Sequence, residues 1–549
     1  MSTASDLLNE PRPGINGVAY DTAWLAGVAK IGDAHASRFP TSLRWLMENQ
    51  HADGSWGSSV RYEHDRILCT LAALAPLARF GHRAEDHRAL EAGTRYLWQH
   101  GHLLRHELVE LVGFGLLLPT LVQRARAEGV LVPPQLDIYA RERAQKLALL
   151  PAGALYSTRT TVAHSLEFLG SDADLHGLHR AQGPNGAIGN SPAATAFFLS
   201  QSNDQYALTY LQSCLERDGG ATAPVLHPCE TFELLWAAYH LLLGGAPARH
   251  LLRAAERTAL RQSLDQGGVS LSSTFPIPDA DDTAVAVLLL HELGEQVDPG
   301  VLQRFASNDG SFVSFPYERH SSVGVNVHVL HALARVPGFP NVDATIARLL
   351  GYLADHHSGM YWIDKWHISP LYATAHVLCV LNTLSPEQAR RLAEPAERSR
   401  EWLRQSQNEN GSWGFYAQPT AEETAYGLLA LASNRQRSEA DRVRCARAAV
   451  YLAEAKQDVM PALWIDKCLY TPPLIVHAAI QAAQAAYSRA CRARTSWSER
   501  SSKGAHHLAD TQPNYAAPSD SEFACHRAEP SAIRDLGADS AAGHHRRGD

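Results

Sequence analysis

The sequence predicts an all-α protein built from turn–helix repeats that stack into a toroid of paired helices. Apolar residues recur at helical spacing in segments such as DDTAVAVLLLHELGEQ and EETAYGLLALASNRQ, which end near polar or glycine stops. No stretch shows the apolar–polar alternation that is typical of a β-strand. Glycine-containing turns precede similar helices at several places, and such units bury their apolar faces only by packing on one another.

The turns of the repeat combine glycine with an aromatic or aliphatic residue. Four of them read DGSWGSS (53–59), NGAIGNS (185–191), DGSFVSF (309–315) and NGSWGFY (410–416), and related turns occur at GGVSLSS and SGMYWID. We expect their aromatic residues to pack in the core, namely Trp56, Phe312, Trp362 and Trp413. The helices that follow share a Thr-Ala pair, with the threonines at Thr195, Thr283, Thr374 and Thr424. In a toroid the helix starts of one layer gather at one mouth, where a pocket can form.

Length and composition restrict the class of protein. A chain of 549 residues exceeds one ordinary core, so two or three domains are expected. The chain is 45% hydrophobic and carries a net charge of −8 without a basic run in its body, which disfavours nucleic-acid partners. We predict no secretory signal and no stable membrane insertion, because no apolar run approaches the roughly 18 residues that span a bilayer. Eight scattered cysteines without a C-x-x-C pair favour a reducing, cytoplasmic location.

The stretch PIPDADDTAVAVLLL places three aspartates at the start of an apolar helix. When the repeats are aligned on Thr-Ala, Asp279 falls at the N-cap position that Thr420 occupies, and Asp is a good N-cap. Asp282 falls where Glu423 falls, which predicts a capping box. Asp281 differs, because no residue type is fixed at its position in the other repeats, where the equivalents are Ala193, Tyr372 and Glu422.

Two interpretations of this acidic cluster stay open at this point. Helix capping alone accounts for Asp279 and Asp282. Alternatively, close carboxylates cannot all ionise at low cost, so one of them retains its proton with a raised pKa. In an apolar pocket such a proton makes a strong general acid that could protonate an alkene. The resulting cation would need a dry cavity lined by aromatic rings.

At these residues the chain resembles a known family. PDADDTA matches the D-x-D-D motif of class II terpene cyclases, and the DGSWG and NGSWG turns match their glycine–tryptophan repeats. The segments GVAYDTAWLAGV, IDKWHISPLYATAHVLCVL and NGSWGFYAQPTAEETAYGLLAL extend the match, which runs from about residue 15 to about residue 485. The resemblance is to bacterial diterpene cyclases that act on geranylgeranyl diphosphate, such as halimadienyl and copalyl diphosphate synthases.

The resemblance implies a βγ architecture of two (α/α) barrel domains, without the α domain of class I terpene synthases. Residues 1–34 would begin the β domain, 35–260 would form the inserted γ domain, and 261–490 would complete β and carry D-x-D-D. The segment 491–549 is rich in Ser, His and charge, and is predicted to be a disordered tail without a part in the chemistry.

The resemblance also implies a reaction and its acid. Asp281 would be the general acid, supported by Asp279 and Asp282, in the cyclisation of geranylgeranyl diphosphate to a bicyclic diterpenyl diphosphate of labdane, halimane or clerodane type. The diphosphate would be retained, because Asp281-Asp282 is followed by Thr-Ala-Val and not by the rest of a D-D-x-x-D metal motif. A downstream class I terpene synthase or a phosphatase would then act on the product.

Other site residues follow from the same resemblance. His164 is the candidate for the terminating base, with His227 nearby, while Val225 stands where relatives that make ent-copalyl diphosphate carry an Asn. Lys365 and Lys467 are candidates for diphosphate binding. Mg²⁺ is the expected cofactor. Gly115 replaces a glutamate that many relatives use near the metal, which leaves Glu107 and Glu110 as candidate ligands.

Three alternatives remain beside this hypothesis. One is a drimenyl-type cyclase of farnesyl diphosphate, which differs in the depth of the pocket. Another is a squalene–hopene-like triterpene cyclase, a class that shares D-x-D-D but has longer chains. The last is a helical-repeat binding scaffold whose acids only cap helices, for which an Asp281→Ala substitution would change nothing but stability.

Overall fold

The computed structural model describes residues 4–9, 14–150, 153–216, 219–434, 436–455 and 460–505. Met1–Ala493 forms one compact unit and Arg494–Asp549 forms a second. The predicted tail, 491–549, lies outside the described residues from residue 506 onward. In the part of the chain that the structure describes, no helix combines the length and the apolar character needed to cross a bilayer.

The fold is all-α, as predicted. Its α-helices are α1 (Ala4–Asn9), α2 (Ala19–Ala26), α3 (Pro40–Glu48), α4 (Glu63–Phe80), α5 (Ala84–His100), α6 (Phe114–Ala127), α7 (Ala140–Ala148), α8 (Leu175–Ala181), α9 (Pro192–Ser202), α10 (Gln205–Glu216), α11 (Glu230–Leu243), α12 (Ala254–Asp265), α13 (Ala280–Glu292), α14 (Val323–Arg335), α15 (Val342–Asp355), α16 (Pro370–Leu381), α17 (Pro386–Ala389), α18 (Ala393–Ser406), α19 (Ala421–Ser433), α20 (Glu439–Glu454) and α21 (Pro473–Ala505). The 3₁₀ segments are Gly101–His106, Pro134–Tyr139, Thr161–Asp172, Ala248–His250, Pro299–Phe305 and Arg390–Leu392.

Within the described ranges, three short antiparallel ladders join the helices, and the sequence did not predict them. Their strands are β1 (Gly17–Val18) with β4 (Ala223–Pro224), β2 (Ala29–Lys30) with β3 (Asp33–Ser37), and β5 (Trp464–Ile465) with β6 (Leu469–Tyr470). Five of the six strands have two residues, so they are too short to show an apolar–polar alternation.

Two groups of helices account for the predicted barrels. In the first, α2 packs on α4, α4 on α6, α6 on the Thr161–Asp172 segment, that segment on α9, and α9 on α2, which closes a ring. In the second, α11, α13, α14, α16 and α19 pack in succession, and α12, α15 and α20 pack against α13, α14 and α19, respectively.

The division into 1–34, 35–260 and 261–490 stays a prediction. Two helix contacts favour different borders. Helix α2 lies in the predicted β segment 1–34 but packs with helices of the γ segment. Helix α11 lies in the predicted γ segment but packs on α13 of the β segment. We propose that the second border lies between β4 and α11.

The shared threonine has a structural explanation in the repeat. Its hydroxyl oxygen accepts a hydrogen bond from a backbone N–H of the preceding turn, at 2.9 Å from Ile188 to Thr195 and from Val269 to Thr283. The same bond is 3.0 Å from Trp362 to Thr374 and from Trp413 to Thr424. This contact fixes each helix relative to its turn, so the residues at each helix start take equivalent positions.

The aromatic residues of the turns lie in the core, as predicted. Trp56, Trp362 and Trp413 are fully buried, and Phe312 is 1% exposed. Each indole N–H donates to a backbone carbonyl of the preceding helix, at 2.7 Å to Leu46, 2.7 Å to Leu353 and 3.0 Å to Leu403. A buried indole needs such a partner, so these tryptophans are packing residues.

Candidate active site

The start of α13 presents the three aspartates to a cavity. Asp279 is the N-cap, and its side-chain oxygen accepts a hydrogen bond of 2.8 Å from the backbone N–H of Asp282. This confirms the predicted cap. The predicted capping box is wrong, because the backbone N–H of Asp279 donates to the Val269 carbonyl and not to the side chain of Asp282. Both side-chain oxygens of Asp282 are buried and lack a hydrogen-bond partner among the described residues.

The cavity combines these acids with aromatic walls. Its aromatic residues are Phe232, Trp236, Phe315, Trp366, Tyr372, Trp464 and Tyr470, and its other residues are Leu226, Leu271, Asp279, Asp281, Asp282, Ser314, Ile465 and Asp466. Ring faces stabilise positive charge in a site that excludes water. The volume is about 130 Å³. Because ligand pockets usually measure about 300–1,000 Å³, a prenyl chain enters only if side chains move apart.

Asp281 is paired with a histidine that the sequence had not indicated. Its Oδ1 lies 2.7 Å from Nδ1 of His328 on α14. Burial raises the pKa of Asp281 well above its usual range, and the charge of Asp364 adds to this. Burial also lowers the pKa of His328 to about 3. Both directions favour a neutral pair in which the Asp281 carboxyl O–H donates to the imidazole.

The two flanking acids share the tendency to stay protonated. Burial raises the pKa of Asp279 to about 7, against the opposing effect of the Asp282 amide. Burial and the charges of Asp279 and Asp281 raise the pKa of Asp282 well above its usual range. The helix N-terminus favours ionised carboxylates, but by only about 0.3–2 kcal/mol. Burial therefore outweighs the helix dipole, and the cluster can hold protons at neutral pH.

The two candidate lysines lie in different environments. Lys365 pairs with Glu318, donates to the carbonyl of His320 at 3.0 Å, and lies 5.0 Å from the ring of Trp366, a cavity residue. Its side chain is 22% exposed. Lys467 is fully buried and donates to Glu167 at 2.9 Å and to the carbonyl of His164 at 3.0 Å. This burial does not support the predicted role of Lys467 in diphosphate binding.

His164, the candidate base, contacts the cavity through Asp466. Its Nδ1 donates to the carbonyl of Gly189 at 2.9 Å, and its Nε2 lies 3.1 Å from Oδ1 of Asp466. Burial acts to lower the pKa of His164, but the Asp466 carboxylate outweighs it and leaves the pKa raised. Burial acts to raise the pKa of Asp466, but His164 outweighs it and leaves the pKa lowered. Both directions favour an imidazolium paired with a carboxylate, and Asp466 is the member that lines the cavity.

Glu107 and Glu110 do not fit a Mg²⁺ site of their own. Glu107 accepts the backbone N–H of Glu63, while Glu110 accepts the N–H of Gly115 at 3.1 Å and pairs with Lys146 at 3.4 Å. In the described ranges, the group of three possible ligand atoms within 4.8 Å consists of Asp65, Cys69 and Cys468.

The position of the missing glutamate is itself occupied. A Cβ on Gly115 would lie 2.8 Å from Nζ of Lys146 and 2.9 Å from Oε1 of Glu142. An ion pair of 2.7 Å thus fills the space that a side chain at residue 115 would take. No step of the reaction is assigned to a metal held by these residues.

Comparisons with known proteins identify the family of the chain. The family model of the squalene-hopene cyclase C-terminal domain matches residues 318–471. The chain is 32% identical over 494 residues to a type B diterpene cyclase of Mycobacterium tuberculosis, covering 86% of this chain and 95% of the relative. It is 30% identical over 495 residues to an ent-copalyl diphosphate synthase of a Streptomyces species, covering 86% and 93%.

A solved structure shows the same fold. The ent-copalyl diphosphate synthase of Streptomyces platensis superimposes with a TM-score of 0.72 at 26% identity, over 88% of this chain and 98% of that one. The full-length relatives and this structure each match more than four fifths of the chain. The chain belongs to the class II diterpene cyclases and is an enzyme that catalyses cyclisation.

Proposed function

We propose that the enzyme converts geranylgeranyl diphosphate into a bicyclic diterpenyl diphosphate of labdane, halimane or clerodane type. The observation that carries the proposal is the buried Asp281 carboxyl, which faces an aromatic cavity and has a raised pKa. A carboxylic acid that stays protonated at neutral pH in a water-poor site is a competent general acid. The full-length relatives, a diterpene cyclase and an ent-copalyl diphosphate synthase, support a C20 diphosphate as substrate.

The reaction begins when the Asp281 O–H leaves its hydrogen bond to Nδ1 of His328 and transfers its proton to the terminal alkene. A new C–H bond forms, Asp281 becomes a carboxylate, and the tertiary cation is attacked by the next double bond. A second ring closure moves the positive charge along the cavity, where Trp236, Phe315 and Tyr372 offer ring faces. Loss of one proton from carbon ends the sequence, so the product is an isomer of the substrate.

We assign the final proton transfer to the pair of Asp466 and His164. Both ring nitrogens of His164 already donate hydrogen bonds, so the basic atoms are the carboxylate oxygens of Asp466. Asp466→Asn should change the product ratio or slow turnover, and His164→Gln should have the same effect at a smaller size. An unchanged product profile in both variants would remove the pair from this role.

An ent-copalyl product is not proposed, because buried Val225 stands where relatives that make ent-copalyl diphosphate carry an Asn.

Retention of the diphosphate rests on the sequence around the acids. Asp281 and Asp282 continue into Thr-Ala-Val, so the metal motif that ionises diphosphates in class I enzymes is missing there. Lys365, beside the cavity residue Trp366, is the charged group that we assign to the diphosphate. A class I terpene synthase or a phosphatase would consume the product. The Mg²⁺ requirement and the cytoplasmic location stay predictions.

A second candidate reaction is supported by one comparison. The squalene-hopene cyclase domain model matches residues 318–471, which keeps a triterpene substrate in consideration. Farnesyl diphosphate is the shorter alternative substrate. The binding-scaffold alternative is excluded, because the chain belongs to an enzyme family.

The test incubates the purified protein with geranylgeranyl diphosphate, farnesyl diphosphate or squalene, each with Mg²⁺ and with a chelator. One half of each reaction is treated with phosphatase and analysed by GC–MS, and the other half is analysed intact by LC–MS. We expect a cyclic diphosphate from geranylgeranyl diphosphate alone. Recovery of only the linear alcohol would refute the proposal. A hydrocarbon product that has lost the diphosphate would refute retention of the diphosphate.

Asp281→Asn supplies the decisive variant. It keeps the size of the side chain and removes the acidic proton, so turnover should fall by at least about 10²–10⁴-fold, the usual contribution of a general acid. The matched control is Asp355→Asn, which changes an exposed aspartate at the end of α15. Circular dichroism should be the same for both variants and the wild type.

A further inference from the structure

Three buried histidines continue from Asp281 across α14, α16 and α11, and we call them the histidine row. His328 binds Asp281 through Nδ1, and its Nε2 lies 2.9 Å from Nδ1 of His376. Nε2 of His376 lies 3.2 Å from Nε2 of His240, and Nδ1 of His240 lies 2.8 Å from the carbonyl oxygen of Trp236. At most 1% of each of the three histidines is exposed. The row thus ends at a backbone carbonyl.

This end fixes the direction of every hydrogen bond in the row. A carbonyl oxygen only accepts, so Nδ1 of His240 carries a hydrogen. In a neutral ring the other nitrogen then has none, so Nε2 of His240 accepts from Nε2–H of His376. By the same rule Nδ1 of His376 accepts from Nε2–H of His328. Nδ1 of His328 is therefore an acceptor, and Oδ1 of Asp281 must be the donor.

The premise of neutral rings follows from the surroundings. Burial lowers the pKa of His240 to about 4 and that of His376 well below its usual range. The neighbouring histidines act in the same direction on His376, because each would repel an added charge. The other titratable groups around Asp281 and the row include the acids Asp279, Asp282, Glu318, Asp364 and Glu422, the base Lys365, the imidazoles of His331 and His367, and the phenols of Tyr239, Tyr372 and Tyr426.

We propose that His240 and His376 are positioning residues, which fix the tautomer of His328 so that Asp281 is held as a protonated carboxylic acid. The inference rests on the proposed function for its catalytic meaning, since only the protonated form of Asp281 can start the cyclisation. Loss of the proton from Asp281 would leave a carboxylate facing the lone pair of Nδ1 of His328. Reversing the row to avoid this would leave Nδ1 of His240 without a hydrogen against the Trp236 carbonyl.

A substitution that interrupts the histidine row removes the restraint on the tautomer of His328. In His376→Leu, His328 can move its hydrogen from Nε2 to Nδ1 and donate to the Asp281 carboxylate. The carboxylate is then stabilised, and the acid ionises at a lower pH. The gain or loss of one hydrogen bond of ordinary strength shifts the pKa of a group by about one unit. The remaining acid is stronger, so turnover at a pH below the new titration is retained.

An infrared titration tests the proposal without requiring turnover. The carboxylic acid carbonyl band that disappears in Asp281→Asn should persist through neutral pH in the wild type. In His376→Leu it should disappear about one pH unit earlier, and the alkaline limb of the kcat profile should move by the same amount. A wild-type Asp281 that is a carboxylate at neutral pH would overturn the proposal. If no substrate turns over, the infrared result still stands, so failure of the two proposals is distinguishable.

Further variants separate polarity from packing. His240→Gln keeps an acceptor for His376 and a donor for the carbonyl of Trp236, so its titration should stay at the wild-type pH. His240→Leu removes both the acceptor and the donor, so it should shift the titration of Asp281 as His376→Leu does. It provides a second interruption of the histidine row if His376→Leu does not fold. His331→Leu removes a buried imidazole of α14 outside the row and should not shift it. Equal titrations in all variants would contradict the proposal, and so would a loss of kcat at every pH.

Discussion

Lys467→Met should destabilise the protein strongly while leaving substrate affinity unchanged. The ammonium of Lys467 lies 2.9 Å from Oε1 of Glu167 and 3.8 Å from Oδ1 of Asp21, and all three side chains are fully buried. The second carboxylate oxygens of Glu167 and Asp21 have no hydrogen-bond partner among the described residues, so Lys467 is their main compensation. Removing one partner of a buried ion pair costs about 3–5 kcal/mol. The lost bond to Ser191, at 2.5 Å, places the expected cost at the upper end.

The assay is the midpoint of urea denaturation, followed by fluorescence and circular dichroism at the same protein concentration. Lys30→Met is the matched control, because Lys30 is exposed, and it should stay within about 0.5 kcal/mol of the wild type. Adding Glu167→Gln and Asp21→Asn to Lys467→Met should recover most of the loss, since no charge is then left unpaired. An unchanged midpoint with a raised KM would refute the structural role of Lys467 and restore its predicted role at the diphosphate.

The same variant has a pH dependence whose sign is determined by Asp21. Burial raises the pKa of Asp21 from its usual value to about 7, and Lys467 opposes this shift. The folded protein therefore binds this proton more tightly than the unfolded chain does, and stability falls as the pH rises from about 4 through 7. Without Lys467 the folded pKa rises further. The destabilisation by Lys467→Met should thus be smaller at pH 5 than at pH 8, and an equal loss at both would contradict the assignment.

Three substitutions at one repeat test how the turns are held. Trp413→Ala should cost about 3–5 kcal/mol, as truncation of a buried tryptophan does, measured by the urea midpoint. Gly427→Ala should cost about 1–3 kcal/mol, because the new Cβ would lie 2.7 Å from the indole of Trp413; its control is Gly351→Ala, where the close atom is the flexible end of Arg391. Thr424→Val should cost about 1–3 kcal/mol by leaving the N–H of Trp413 unpaired. Equal midpoints for the two glycine variants would contradict the packing argument.

The sequence was sufficient to predict structural features that depend on residues close together in the chain. The N-cap of Asp279 could be predicted because the hydrogen bond spans three positions of one helix. The capping box failed for a non-local reason, since the Asp279 amide is taken by Val269 from the preceding turn. The ladders were missed because two-residue strands carry no periodicity.

The partners of the acids could not be predicted, because they come from distant parts of the chain. His328 is 47 residues from Asp281, and His376 is 48 residues further. A histidine in an apolar helix is by itself uninformative, and only the packing of α13, α14 and α16 brings these rings together. The sequence signal that pointed to these helices is the alignment of the repeats, which predicts that their starts lie at one mouth of the toroid. Lys467 shows the same limit of local information, because its match to a family lysine predicts diphosphate binding and carries no signal of its full burial.

The threonine that ties each helix to its turn separates the maintenance of the fold from the choice of chemistry. Because the hydroxyl of Thr283 fixes α13, the residue two positions earlier is not needed for structure and is free to vary. Tyr372, its equivalent in α16, lines the cavity, and Glu422, its equivalent in α19, is bonded at 2.8 Å to the indole of the cavity residue Trp464. The repeats of α13, α16 and α19 therefore each place this variable position in the cavity wall or against a cavity residue. Such a scaffold can acquire a new cation path through single substitutions at these positions, without any change to the bonds that hold its helices in place.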